Sequence, residues 1–499
     1  MPTKVAVGTK GVASDHQLAT QVGLDVLKSG GNAFDAAIAV SAVLSVVQPQ
    51  MSGLGGDAFL LGFLGDEVLA YSSSGKSPSG FKEEEYLSAK PLRGPLTVTV
   101  PGLVYLWGKI YEEYCSLPLD YLLTPAISIA YSGFHVGLML SEASSIYEKE
   151  LGKYKWAKYY SGLKLGDLFI NRDMARVLRL IASRGWEELY YGELAEDIVS
   201  ELEEQGVGIG LDDLMDHEGF KVRPLKLELN DATLYELPPN TQGITTLQLI
   251  SALHELKLSN EDFSSPTRIN KWSEPIARAY MFRDLHVGDP DYMSINPEHY
   301  VKYSSIEKLA LNTRSESPGN GDTTFFVVSD GDAIIGFIQS LFYPFGSGLT
   351  ISGFPVQNRG VGFAKSRGLP NSPAPRKVPL HTLSVLGVDR GKEKYIIGCV
   401  GGDVRPQLHL RVFENIFAYG MPIDRAIAAP RFLYMTPYGR QEVVVEKPLR
   451  TPPQRENNYI GVEEVDYFKA KGHVHVGRLS DRKVLMACDP RSEGIPLAT

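Results

Sequence analysis

"GDTTFFVVSDGDAIIGFIQS", residues 321–340, is the stretch from which the chain is best read. Two apolar runs rich in aromatic and β-branched residues flank Asp330-Gly331, the signature of an antiparallel hairpin. Upstream lies "LNTRSESPGNGD" (311–322), polar and turn-rich, which reads as a mobile linker. Between linker and strand stand two hydroxyls, Thr323 and Thr324. As strand formers they need no further explanation. They also suit a specific chemistry. A threonine hydroxyl is a weak nucleophile until a base takes its proton. Cutting the Asp322–Thr323 peptide bond would free an α-amino group beside the hydroxyl, and its pKa near 8 suits a general base.

Downstream, "HTLSVLGVD" (381–389) and "EKYIIGCVGGD" (393–403) continue a meander of strands, and a helix follows over about 408–419. Upstream, Ser14 reads as the N-cap of a helix closed by Gly30-Gly31, and Asn32 caps a second helix, 33–47, stopped by Pro49. "AFLLGF" and "EVLAYSSS" form a hairpin turning at Gly65-Asp66, and residues 100–310 are mostly helical in pattern. Strands and helices from both halves imply one layered α/β unit with sheets buried between helices.

Composition narrows the function classes. The 499 residues are 43% hydrophobic and 22% charged, with net charge −9 and no basic cluster, which argues against nucleic acid as a partner. Three widely spaced cysteines (Cys115, Cys399, Cys488) suggest neither a disulfide framework nor a cysteine-based zinc site, and fit a reducing compartment. The N-terminus lacks a signal-peptide core, and the longest apolar stretch is too short to span a bilayer. The expectation is a soluble cytoplasmic protein that avoids membranes.

Several motifs carry less than they suggest. "AYSSSGKS" (70–77) imitates a phosphate loop, but Pro78 and Gly80 follow where a helix is required, so nucleotide binding is not expected. Lys76 still offers a cation to a pocket. "SGLGGD" (52–57) lets backbone approach backbone or ligand closely. "HVHV" (473–476) reads as an exposed edge strand, with no metal expected. Gly401-Gly402 in "CVGGD" is a strand-to-helix turn, or a pair of N–H donors for an oxyanion.

The whole sequence resembles the gamma-glutamyltransferase family of N-terminal-nucleophile hydrolases. The resemblance is carried by "GVASDHQLATQVGLDVLKSGGNAFDAAIA" (11–39), "SGLGGDAFLLGF" (52–63), "TVPGLV" (99–104), "GDTTFFVVSD" (321–330), "FGSG" (345–348), "VGGD" (400–403), "APRF" (429–432) and "DPRSEG" (489–494). It implies an α+β fold, a four-layer αββα sandwich, made as a proenzyme that cleaves between Asp322 and Thr323. The implied pieces are a large segment, 1–322, and a small one, 323–499, which stay associated. Thr323 then corresponds to the nucleophile, Gly401 and Gly402 to the oxyanion glycines, and Ser340 to a hydroxyl supporting the nucleophile. Thr324 follows as in the family, and His381-Thr382 falls where two serines contact the substrate's α-carboxylate. No cofactor is needed.

The sequence departs from the family around the substrate. Phe325 stands where a histidine is usual, and Phe342 where an asparagine binds the glutamyl group. Val361-Gly362 replaces the acidic pair that holds an α-ammonium, and Lys76 is the nearest cation to a missing arginine. This pattern looks more like the cephalosporin-acylase-like branch. The implied activity is cleavage of a γ-glutamyl amide such as glutathione or a related dicarboxylic acyl amide. Alternatives are a glutaryl or cephalosporin-type acylase, or a catalytically silent binding relative. The acceptor, water or amine, and the oligomeric state, a homo-oligomer included, are left open.

Overall fold

The computed structural model describes residues 4–308, 321–438, 441–451 and 460–499. Two seven-stranded antiparallel sheets dominate it. The first runs, edge to edge, Ile495–Ala498, Gly11–Ser14, Asp322–Ser329, Ala333–Phe342, Asp57–Leu64, Glu67–Ser73 and Phe220–Lys221. The second runs Val5–Gly8, Lys483–Cys488, His473–Ser480, Glu393–Val400, Leu386–Arg390, Thr233–Glu236 and Leu225–Glu228. Both expected hairpins are present. Asp322–Ser329 pairs with Ala333–Phe342, and Asp57–Leu64 pairs with Glu67–Ser73. The linker 311–322 falls outside the described residues except for its last two positions.

Strand alternation builds the layers. Phe325 and Val327 face inward and join Phe59, Leu61, Val385 and Ile396 in the core between the sheets. Phe326 and Val328 face outward onto the helices Gln17–Lys28, Ala33–Val47 and Leu103–Tyr114. On the far side, Val388, Ile397 and Val476 pack against Gly243–Glu255, Pro266–His286 and Arg405–Phe413. The order is therefore helix, sheet, sheet, helix. Ala33–Val47 is buried at every position, and Asn32 starts it with a reciprocal capping box to Asp35. The helix near 408 begins earlier than expected, at Arg405, and after Phe413 it passes into a π-helical turn, Glu414–Ala418.

Two expectations fail here. Ser14 ends a strand and does not cap the first helix; His16 does, its Nδ1 accepting from the Leu18 N–H at 3.2 Å. "HVHV" lies in a central strand, not at an edge, and His473 and His475 are both buried. Their Nε2 atoms donate to Asp15 Oδ1 at 2.5 and 2.7 Å, while Asp15 Oδ2 accepts from the Phe325 N–H at 2.9 Å. A carboxylate on the first sheet thus ties the second sheet to the strand that begins at Asp322. No described helix is long and apolar enough to cross a membrane.

Candidate active site

The strand pairing itself singles out Thr323. Asp322 sits opposite Phe342 and Thr324 opposite Gln339, so Ser340 and Leu341 together face the single residue Thr323. This bulge turns Ser340 toward Thr323. Thr323 Oγ donates to Ser340 Oγ at 3.2 Å and accepts from Arg405 Nη2 at 3.2 Å. Ser340 Oγ also accepts from the Phe342 N–H at 2.8 Å. All three side chains are buried.

Arg405 was not anticipated from the sequence. It opens a helix, where the positive end of the helix dipole disfavours a cation. Its guanidinium is spent on three acceptors: Thr323 Oγ, the Cys399 carbonyl at 3.0 Å and the Thr382 carbonyl. The fork therefore ties the nucleophile candidate to the strand end and to Thr382. Burial, partly offset by Cys399 and Glu236, draws its pKa below the usual arginine value.

The Gly401-Gly402 turn packs on Gly321, two residues before Thr323. Gly401 has an extended φ of 169°. Gly402 has φ +55°, and a Cβ there would come within 2.6 Å of Gly321 N and 2.7 Å of Gly321 O. Glycine is required at 402 by conformation and by space. Gly321 also packs on Phe342, whose ring would lie 2.6 Å from a Cβ at 321. The residue preceding Asp322 is thus packed against both Phe342 and Gly402. Gln242 fixes the turn, its Nε2 donating to the carbonyls of Gly402 (3.0 Å) and Thr382 (2.8 Å). Arg283 in turn holds Gln242 Oε1 at 2.7 Å and pairs with Asp403 at 2.5 Å. A cleft of about 240 Å³ reaches Gly401, walled by Gln50, Met139, Ile146, Tyr147, Pro344 and His473 among others.

The remaining sequence-selected residues divide. Thr382 lies in the site, its Oγ 3.4 Å from Arg359 Nη1. His381 is adjacent but fully committed. Its Nε2 meets Asp57 Oδ2 at 3.1 Å, and its Nδ1 accepts from the Leu383 N–H at 3.2 Å. Burial and the charges of Arg359 and Arg405 hold its pKa well below the usual value, so it is neutral and structural here. Thr324 is likewise engaged elsewhere. Its hydroxyl donates to Ser52 Oγ at 3.1 Å, in a network with Gln339, away from Thr323. The Lys76 side chain is exposed. Phe342 is buried and adopts φ +79°, a conformation that costs a non-glycine residue about 1–2 kcal/mol.

Arg359, in the "NRGVGF" segment, is the second residue the sequence reading missed. It is fully buried, with its guanidinium carbon 4.2 Å from the centre of the Phe342 ring. Nε and Nη2 reach no hydrogen-bond partner among the described residues. Each buried, unpaired donor costs about 1–3 kcal/mol. The nearby carboxylate of Asp57 is already engaged by the Gly75 N–H (3.0 Å), Gln357 Nε2 (2.8 Å) and His381. Burial raises Asp57 to about 7, against the pull of Arg359, Gln357 and the Gly75 and Gly102 amides.

Two face-packed antiparallel sheets between helices, with a threonine at the head of an inner strand, define an N-terminal-nucleophile type of hydrolase fold. The gamma-glutamyltranspeptidase family model matches residues 19–499. The chain is 34% identical over 462 residues to the glutathione hydrolase-like YwrD proenzyme of Bacillus subtilis, covering 88% of this chain and 87% of that one. It is 30% identical to the oxamate amidohydrolase proenzyme of Klebsiella pneumoniae, covering 98% of each. The crystal structure of cephalosporin acylase from Bacillus halodurans superposes with TM-score 0.88 at 27% identity, over 100% of this chain and 97% of that one. The chain belongs to the gamma-glutamyltranspeptidase family and is a hydrolase proenzyme of that family.

Proposed function

We propose that the chain cuts itself between Asp322 and Thr323, and that the freed Thr323 is the nucleophile of an amidohydrolase acting on dicarboxylic acyl amides. The observation carrying this reading is the Thr323 hydroxyl between Ser340 and Arg405, with the preceding Gly321 clamped against Gly402. In the precursor, Thr323 Oγ attacks the Asp322 carbonyl carbon and the C–N bond breaks, giving an ester and a free amine. Water then hydrolyses the ester, leaving a carboxylate at Asp322 and an amino group at Thr323. In turnover the amine accepts the Oγ proton as Oγ attacks the substrate carbonyl. The proton passes to the leaving amine, and water releases the acyl group. The N–H groups at Gly401-Gly402 are the candidates to hold the developing oxyanion.

The pieces 1–322 and 323–499 would stay together because each sheet takes strands from both. For substrate, Val361-Gly362 supplies no carboxylate to hold an α-ammonium, and both are buried in the turn Arg359–Gly362. This favours an acyl group with a distal carboxylate and no ammonium, such as glutaryl, over γ-glutamyl. Oxamate, named for one relative, likewise carries a carboxylate on its acyl side. Denaturing electrophoresis with intact-mass measurement tests the reading. Incubated wild type is expected to give two chains, the smaller beginning at Thr323, while Thr323→Ala stays one chain of 54.9 kDa. A single band for both proteins would overturn the reading in favour of a non-catalytic binding relative.

A further inference from the structure

Arg359 stands out among the charged groups that the proposed chemistry does not use. Its guanidinium is buried, two of its nitrogens have no hydrogen-bond partner among the described residues, and it lies over the Phe342 ring. That ring also bears on Gly321, the residue that self-cleavage would release. Two residues, Thr382 and Arg405, link Arg359 to the nucleophile. Thr382 meets Arg359 Nη1 with its hydroxyl and Arg405 with its carbonyl, and Arg405 meets Thr323. The turn carrying Arg359 is rigid: Tyr86 Oη donates to the Gly360 carbonyl at 2.8 Å and Asn358 Nδ2 to the Leu92 carbonyl at 2.8 Å. Gly362 is packed on the Leu380 carbonyl. A fork of donors without partners among the described residues, held in place and joined to the nucleophile through Thr382 and a second arginine, matches a planar anion.

We infer that Arg359 is the specificity residue that grips the free carboxylate of the substrate's acyl group, in a subsite opened when Gly321 withdraws from the Phe342 ring after cleavage. The inference rests on the proposed amidohydrolase reading and gives its acyl site a chemical identity. An acyl group carrying an ammonium in the same place would meet two arginines and, among the described residues, a carboxylate, Asp57, that is already engaged, so γ-glutamyl is disfavoured against glutaryl. Burial, moderated by Asp57 and reinforced by Arg405, lowers the Arg359 pKa to about 9, which leaves it charged at neutral pH.

The test compares kcat/KM on the p-nitroanilides of glutaric acid, butyric acid and γ-glutamate, using self-cleaved wild type, Arg359→Gln and Arg359→Lys. Wild type should prefer glutaryl over butyryl by at least about tenfold, and Arg359→Gln should lower that ratio by at least about tenfold. Arg359→Lys should keep part of it, since charge survives without the fork. Equal use of glutaryl and butyryl by wild type, or an unchanged ratio in Arg359→Gln, overturns the inference while leaving amide hydrolysis by Thr323 intact. Failure of wild type to cleave itself or any amide defeats the functional reading itself. Should Arg359→Gln not self-cleave, calorimetry with glutarate and neutral glutaramide decides. Processed wild type should bind glutarate in preference, and the uncut Thr323→Ala precursor should not. Equal binding of the two compounds by processed wild type, or of glutarate by both proteins, overturns the inference.

Discussion

Replacing Gly402 with alanine should stop the precursor from cutting itself at a useful rate. Two costs combine. At φ +55° an alanine loses about 1–2 kcal/mol relative to glycine. Its Cβ would also lie 2.6 Å from Gly321 N, where ordinary contact begins at 3.4 Å, so turn and segment must separate by about 0.8 Å. The obstructing atoms are backbone on both sides and cannot swing away. A displacement near 1 Å at a reacting centre costs about 10²-fold in rate. Gly401→Ala is the internal control. Its φ of 169° suits any residue, and its Cβ would meet the movable Leu408 Cδ1 at 2.5 Å. Cleavage should therefore slow by about 10²-fold or more in Gly402→Ala and by less than about tenfold in Gly401→Ala. The assay is the time course of the two product chains by intact mass. Whatever fraction of Gly402→Ala does mature should show a smaller deficit on added amide, because Gly321 has then left. Wild-type cleavage kinetics in Gly402→Ala would show that the packing of this turn on Gly321 does not position the bond to be cut.

Asp15→Asn should destabilise the fold by about 3–5 kcal/mol, since it leaves His473 and His475 buried without their carboxylate. Burial would raise the Asp15 pKa, but the two histidines outweigh it and hold it low, so its contribution is present above about pH 4 and lost on strong acidification. Burial would lower His475, but Cys488 and Asp15 raise it to about 10, so its contribution is complete below about pH 6.5 and lost as pH rises through 10. The difference in urea midpoint between wild type and Asp15→Asn should accordingly be largest near pH 5–6 and shrink toward pH 10. Arg405→Lys should lose about 1.5–3 kcal/mol for each charged hydrogen bond not remade, because an ammonium cannot serve Thr323 Oγ, Cys399 and Thr382 together. Its self-cleavage should slow in parallel. Unchanged stability and cleavage would remove Arg405 from the site.

What the sequence disclosed was local in origin. The hairpin at Asp330-Gly331 and the Asn32 cap are written within a few residues, so they can be read without knowing the fold. Thr323 was legible because a hydroxyl pair between a polar linker and a buried strand is out of keeping with both. The histidines of "HVHV" were misread because their alternation with valine imitates an edge strand. Their partner, Asp15, lies 458 and 460 residues away and appears only when the sheets face each other. Ser14-Asp15-His16 offers three capping side chains in a row, and the choice among them depends on where the preceding strand ends. Arg405 had a usable signal, a cation opening a helix behind paired glycines. Arg359 had none beyond its place in a glycine-rich turn, since burial and missing partners are properties of the folded chain.

The departures from the family pattern are physically connected. Phe325, standing where histidine is usual, is not a side chain turned toward substrate; it fills the space between the sheets. A Cβ at Gly398 would lie 2.3 Å from its ring, so that ring and that glycine require each other. Phe342 replaces a polar group with a surface on which Gly321 and the Arg359 guanidinium both rest. Val361-Gly362 removes acidic groups from the same turn that presents Arg359. The changes at 342 and 361–362 replace polar and acidic groups with apolar ones around a buried cation, while Thr323 stays hydrogen-bonded to Ser340 and Gly402 stays packed on Gly321. Arg359, buried with Nε and Nη2 lacking hydrogen-bond partners among the described residues, is costly to the fold until an anion completes it. The coherence of the changes therefore argues for a redirected substrate on retained chemistry.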